Sequence, residues 1–457
     1  MSQTSADRLK AYLAQLPPKA QALLIREFER ALERGDDAAI ATFVLAELRK
    51  IVRADDSDPV PRLNDAQRLV FRPLEPFLTE GEASIIPGHI KRNSLPPIWT
   101  WLTRDGAPDA VRALLTTLQS ASSSTAAVQT VQRSATAAIA ALLAEPDQRR
   151  AASRIGPASA TQDLPAVRAV LDNIDTLDQL VGKLPGQFRD FGETQTAAAY
   201  TAFTVPALQN PLILPFALRL LMQRLPASWQ IVRLAVHAAT TDDAGRVAMH
   251  PFGMAVPMAI EELSQTAAQL REDIKRGQFG HAAEHVKFVH DGVRGLRTEL
   301  DIRQDSAWGR SLAMLRVDMS GALKYVIDNV PSRVRRLLRQ RPDKDVTATT
   351  RLDTTEIDEA AALIDFVAVC RPFASELAIS EVTLRTYSEL QSTVEKTTEM
   401  LVESLRSCEP AARGLREQQA RAAIRFCKVL FGHDYAVLMS RSADIALADE
   451  RKPARAG

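Results

Sequence analysis

Apolar residues recur at spacings of three and four along almost the whole chain, and no segment alternates as a half-buried strand does. An α-helix turns about 100° per residue, so this spacing gathers apolar side chains into one stripe that must be buried against another helix. Aromatics make up only 5% and β-branched residues rarely cluster, which removes the residue types strands favour. The pattern predicts an all-α fold of multi-helix antiparallel bundles. Prolines agree with it, falling mostly at the starts of helix-like stretches, where a missing amide hydrogen costs little: Pro17 and Pro18, Pro96 and Pro97, Pro226, Pro331 and Pro410.

Breaks in the pattern divide the chain. A helical pair is expected at 17–35 and 36–53, with Gly35 closing the first and Asp36 and Asp37 opening the second, then a loop over 54–64. Shorter elements follow around 68–78 and 94–102, then a helix from near Pro108, and then a run rich in Ala and Ser from residue 119. Small side chains bury little area each, so that last helix must be tightly packed or marginal. The stretch 145–165 is polar and contains Gly156, Pro157 and Pro165. Its composition predicts a domain boundary: an N-terminal helical domain over 1–146, a linker over 147–162, a larger helical bundle over 163–447 and a disordered tail over 448–457.

The larger domain carries the longer helices. One is expected from about Phe279 to Ile302, and its hairpin partner is marked by Trp308, Leu312, Leu315, Met319, Leu323, Val326 and Val330, with Pro331 as its stop. A further seam runs through Phe373, Leu377, Leu384, Tyr387, Val394, Leu401, Leu405 and Cys408, interrupted by Gln391 and Thr398. At ~1.5 Å per residue that helix would be about 50 Å long, as a core helix of a bundle or as one strand of a coiled coil.

Charge sets limits on partners. The chain has 57 basic and 56 acidic residues, a net charge of +1, so no whole-molecule field draws in nucleic acid or an anionic surface. Of the basic residues, 12 are Lys and the other 45 Arg, and with abundant Ala this points to a GC-rich bacterial genome rather than to phosphate binding. The densest basic stretch is 332–344, with five Arg from Arg333 to Arg341; it reads as a solvated helix face or as a surface for nucleic acid or an acidic partner. No aromatics are interleaved there to stack on bases.

Cys370, Cys408 and Cys427 are odd in number and far apart, which suits reduced core residues of a cytoplasmic protein. The N-terminal residues are polar, without the apolar core of a secretory signal. The most apolar stretch, 211–226, is too short to span a bilayer and carries Arg219 and Arg224, so a buried helix is expected and no transmembrane segment.

One stretch could carry chemistry. Residues 281–285 read H-x-x-E-H, the spacing of one class of zinc peptidase, in which His281 and His285 would share a metal and Glu284 would act on bound water. On a helical wheel with His281 at zero, Ala282, Val286, Val289, Val293, Leu296 and Leu300 fall between roughly 60° and 140° and define the buried face. His285 lies at its edge near ~40°, Glu284 near ~300° on a charged side with Lys287 and Asp291, and His290 near ~180°. The general base would thus face solvent. Peptidases with this signature also need a third ligand, for which Glu356 and Glu359 carry no distinguishing signal, and mixed α/β domains, of which the sequence shows no strands. Gly292 and Gly295, on the same flank, each cost about 1 kcal/mol in a helix interior and point to the close approach of another element or a kink.

Trp99 and Trp101 are expected to anchor short helices, although a separation of two leaves room for one to be exposed as an interface residue. No phosphate-binding loop, dinucleotide fingerprint, nucleophile elbow or di-iron pair is present. These features together assign no catalytic, cofactor-binding or metal-ligating residues and no cofactor. They predict a non-enzymatic scaffold or adaptor in a bacterial cytoplasm, with a protein partner and no nucleic acid, and with self-association open to it. The alternatives are a zinc-dependent hydrolase using His281, Glu284 and His285, and a binder of nucleic acid or acidic surfaces through Arg333 to Arg341.

Overall fold

A computed structural model describes residues 23–25, 27–28, 44–45, 63–80, 87–119, 124–147, 153–340, 342, 346–347 and 349–448. The chain is all-α, and contacts divide it into two compact units, Met1–Pro226 and Ala227–Gly457. Apart from a few positions, the expected helical pair at 17–53 lies outside the described residues, as do the loop at 54–62 and the tail after Ala448.

In the first unit the order is α1 (Leu63–Phe71), β1 (Leu78–Thr79), β2 (Ile90–Lys91), α2 (Leu95–Trp101), α3 (Pro108–Gln119), α4 (Thr125–Leu143), α5 (Ala158–Asp172), α6 (Ile174–Lys183), α7 (Glu193–Phe203) and α8 (Leu214–Met222). Strands β1 and β2, unanticipated from residue spacing, pair parallel over two residues each, too few for a periodicity to register. Two polar staples hold the unit. Gln132 on α4 donates to the Val70 carbonyl at 2.9 Å. Buried Asp163 on α5 accepts from Ser94 Oγ at 2.7 Å and from the Lys91 amide at 3.0 Å. The Ala-rich helix α4 is tightly packed, burying Val131, Ala135, Ile139 and Leu142. Trp99 and Trp101 are both core residues, and α8 is buried almost all round.

The division between units falls at 226/227, not at 147–162. Helices α4 and α5, on either side of that stretch, pack against each other within the first unit. A polar segment with Gly and Pro marks a chain reversal as readily as a domain border, and only long-range contacts tell the two apart.

The second unit contains α9 (Val232–Ala239), α10 (Ala244–Met249), α11 (Ala255–Arg276), α12 (Phe279–Glu299), α13 (Ala307–Leu338), α14 (Thr354–Cys370), α15 (Ser380–Ser407), α16 (Pro410–Phe431) and α17 (His433–Ala448). Helix α11 packs on α12 and α13, α15 on α13 and α16, and α14 touches α12, α13, α15 and α16. Side-chain caps open the elements as local chemistry requires: Asp243 accepts the Arg246 amide at 2.7 Å, Ser306 the Gly309 amide at 3.0 Å and Asp353 the Thr355 amide at 2.8 Å.

Two sequence expectations change here. Pro331 does not stop α13, which continues to Leu338 with Pro331 inside it. Val330, Pro331, Val334, Leu337 and Leu338 are all buried. Their burial outweighs one lost backbone hydrogen bond. The seam from Phe373 to Cys408 is not one helix. Residues 371–373 form a 3-10 turn, Ala378 takes a left-handed φ of 55°, and α15 begins at Ser380. Past that break the phase shifts, leaving Leu384 exposed and burying Val382, Thr383 and Thr386. The polar interruptions are satisfied by the neighbouring helix or the backbone. Thr398 Oγ1 donates to the Val394 carbonyl at 2.6 Å and meets Cys427 Sγ at 3.3 Å, and Gln391 donates to the Leu430 carbonyl at 3.3 Å.

Candidate functional site

The H-x-x-E-H segment sits in the first turns of α12. Its apolar positions Ala282, Val286, Val289, Val293 and Leu296 are buried, as the wheel requires, and Leu300 just past the helix is buried with them. His281 and Glu284 are exposed and His285 is half-buried. The three therefore do not converge on one point. Among the described residues no three His, Cys, Asp or Glu side chains come together as ligands for one ion. Glu359 and Glu356, the available third ligands, instead pair with Arg333 at 2.5 Å and Arg336 at 3.8 Å.

His285 faces a group the sequence did not flag. Its Nδ1 lies 2.9 Å from Oδ2 of Asp273, a buried carboxylate on α11. Neither atom has a partner in hydrogen-bond geometry, so the contact is a close apposition that becomes an ion pair when the ring is protonated. Asp273 Oδ1 accepts from Gln269 Nε2 at 3.0 Å. Replacing His285 by alanine leaves the carboxylate with that single amide, and a loss of about 1–3 kcal/mol in urea denaturation is expected. A loss below about 0.5 kcal/mol would show that the pair does not support the α11–α12 hairpin.

His290 is buried, not solvated. Its ring packs 4.7 Å from that of Phe373, and its Nδ1 lies 2.9 Å from Asp291 Oδ1. The wheel placed it outside the stripe made by one neighbour; the turn before α15 supplies a second. Gly292 and Gly295 mark close approach rather than a kink. A Cβ on Gly292 would lie 2.4 Å from Leu263 of α11, and one on Gly295 would lie 2.4 Å from the Trp229 ring.

The basic stretch forms the end of α13. Besides the pairs of Arg333 and Arg336, Arg335 meets Glu389 at 2.8 Å. The guanidinium groups tie α13 to α14 and α15, so much of the local positive charge is neutralised within the fold.

The side of α13 away from the core is different. Met314, Val317 and Tyr325 are 70%, 69% and 77% exposed, and Gly321 lies between them. The buried residues Leu312, Leu315, Met319, Leu323 and Ile327 occupy the opposite side of the same helix. An open groove of about 1270 Å³ runs along this surface, lined by Arg297, Asp301, Ala313, Val317, Gly321 and Lys324 among others. A smaller hollow of about 380 Å³ continues it past Tyr325, Asp328 and Arg385, sharing Lys324 and Ala378. Sequence reasoning passed over this row because it followed the buried phase of α13; the signal was apolar residues out of that phase.

Two of the three cysteines, Cys370 and Cys427, are buried. Burial pushes the Cys370 thiol from 9.0 up to about 12. Burial also raises Cys427, against a smaller opposite effect of the Thr398 hydroxyl. A thiol whose folded pKa lies above its unfolded one stabilises the fold below pH ~9 and loses that contribution as pH rises toward ~12. Stability should therefore fall over that interval, and less so in Cys370→Ala. Under native conditions half-buried Cys408 should be alkylated well before Cys370; equal rates read by mass spectrometry would contradict the burial.

Compared with known proteins, the chain matches no protein-family model, no curated protein and no solved structure.

Proposed function

We propose that this chain is a non-enzymatic scaffold or adaptor of a bacterial cytoplasm that docks a protein along the outward side of α13. The observation that carries the reading is the row Met314, Val317 and Tyr325, exposed by about seven-tenths each on one long helix beside an open groove. Apolar residues scattered singly on a surface need no explanation, whereas a row in phase on one helix face supports helix-mediated docking. Burying three such side chains is worth roughly 5–9 kcal/mol gross. Association costs about 4 kcal/mol or more, so the partner must add contacts of its own. Lys324, Asp328 and Arg385 at the rim are suited to that.

The cytoplasmic setting is supported by three cysteines without a disulfide. A photo-crosslinking amino acid at position 325, in cells, is expected to capture a discrete protein, and Val317→Lys to abolish the capture without altering the helical content. Labelling indistinguishable from that at an exposed control such as position 396 would overturn the reading.

A further inference from the structure

We propose that the occupant of the α13 row is a second copy of this chain, its α13 lying antiparallel along the first; this rests on α13 being the docking face. Gly321 motivates it. It sits at the centre of the exposed arc, in the middle of a 32-residue helix, where glycine is disfavoured. A Cβ built there meets nothing within 4 Å, in contrast to Gly292 and Gly295 on α12, each filled by a neighbour. The described residues thus give Gly321 no intrachain reason, and close approach from outside the chain supplies one.

Arg310 and Asp328 complement their own copies in one direction only. Relative to Gly321, at ~100° per residue, Arg310 and Asp328 both lie near −20°, with Met314 near +20° and Tyr325 near +40°. In an antiparallel pair about a two-fold at residue 319, side chains on the same side of the arc meet. Arg310 then faces the partner's Asp328, Met314 faces the partner's Tyr325, and Val317 enters the space over the partner's Gly321. A parallel pair would set Arg310 against Arg310 and Asp328 against Asp328, so these two charges favour the antiparallel direction. Both groups are held in place for this. Arg310 Nη1 donates to the Asp305 carbonyl at 2.6 Å. Asp328 Oδ1 accepts from Arg385 at 2.6 Å, and a carboxylate has capacity for a further guanidinium.

Sedimentation velocity on the full chain over a concentration series tests this. A dimer is expected. Gly321→Arg should raise its dissociation constant by more than about tenfold, since a long side chain would occupy the closest point. The same variant should keep its helical content and melting curve at low concentration, because the position is open within the chain. Arg310→Glu and Asp328→Arg should each weaken the dimer, and the two together in one chain should restore it. A chain that stays monomeric throughout, or a dimer indifferent to Gly321→Arg, overturns the proposal. Monomeric protein that still captures a different protein at position 325 removes self-pairing and leaves the docking face standing; an indifferent dimer with no capture there removes both.

Discussion

Phe366→Ala should lower the unfolding free energy of the second unit by about 3–5 kcal/mol. Phe366 is 1% exposed on α14, the helix that touches α12, α13, α15 and α16 at once. Its ring centroid lies 5.7 Å from that of Phe279, which begins α12. Truncation removes apolar area and leaves a void that four converging helices cannot all move to fill. Phe366→Leu keeps most of the volume and should lose less than half as much. Urea denaturation followed by Trp229 and Trp308 fluorescence, in a background with Trp99 and Trp101 replaced by Phe, isolates the second unit. A loss below about 1 kcal/mol would mean that α14 is not the centre of its core.

Gly295→Ala should destabilise the second unit by about 1–3 kcal/mol. The added carbon would stand 2.4 Å from the Trp229 ring, a distance real contacts do not reach. An indole cannot yield by rotating one bond, and this one has the Arg233 guanidinium 5.7 Å over it, itself paired with Glu299 at 2.7 Å. Displacing the ring disturbs that cluster too. Alanine gains up to about 1 kcal/mol in helix propensity, already counted in the net figure. Gly292→Ala meets only the Leu263 methyl groups, which can rotate aside, and should cost less. Equal or greater stability for Gly295→Ala than for the parent would sink the argument, as would an unchanged Trp229 emission.

Much of this architecture could be read from residue spacing. The seven marker positions of α13 are all buried or half-buried. The apolar arc of α12, the solvent-facing Glu284 and the marginal position of His285 follow from 100° per residue alone. Where the reading departed from the fold, a longer-range contact had intervened. Leu384 has the spacing of a core residue, but the left-handed turn at Ala378 resets the helix phase ahead of it. Pro331 has the chemistry of a stop, yet burial on both sides carries the helix through it.

The candidate surfaces divide in the same way. Sequence reasoning weighed His281, Glu284 and His285, and the wheel already separated the base from the ligands. It could not find Asp273, which lies one helix away and approaches His285 only because α11 and α12 pack together. Nor could it show that Arg333, Arg335 and Arg336 are met by Glu359, Glu389 and Glu356.

The sequence by itself determined the all-helical class and the inward face of most helices, because helix geometry is local and repeats every few residues. Only the tertiary structure decided where the units divide, which charges are neutralised and that Met314, Val317, Gly321 and Tyr325 stand exposed, because whether a face is buried depends on which other helix arrives there.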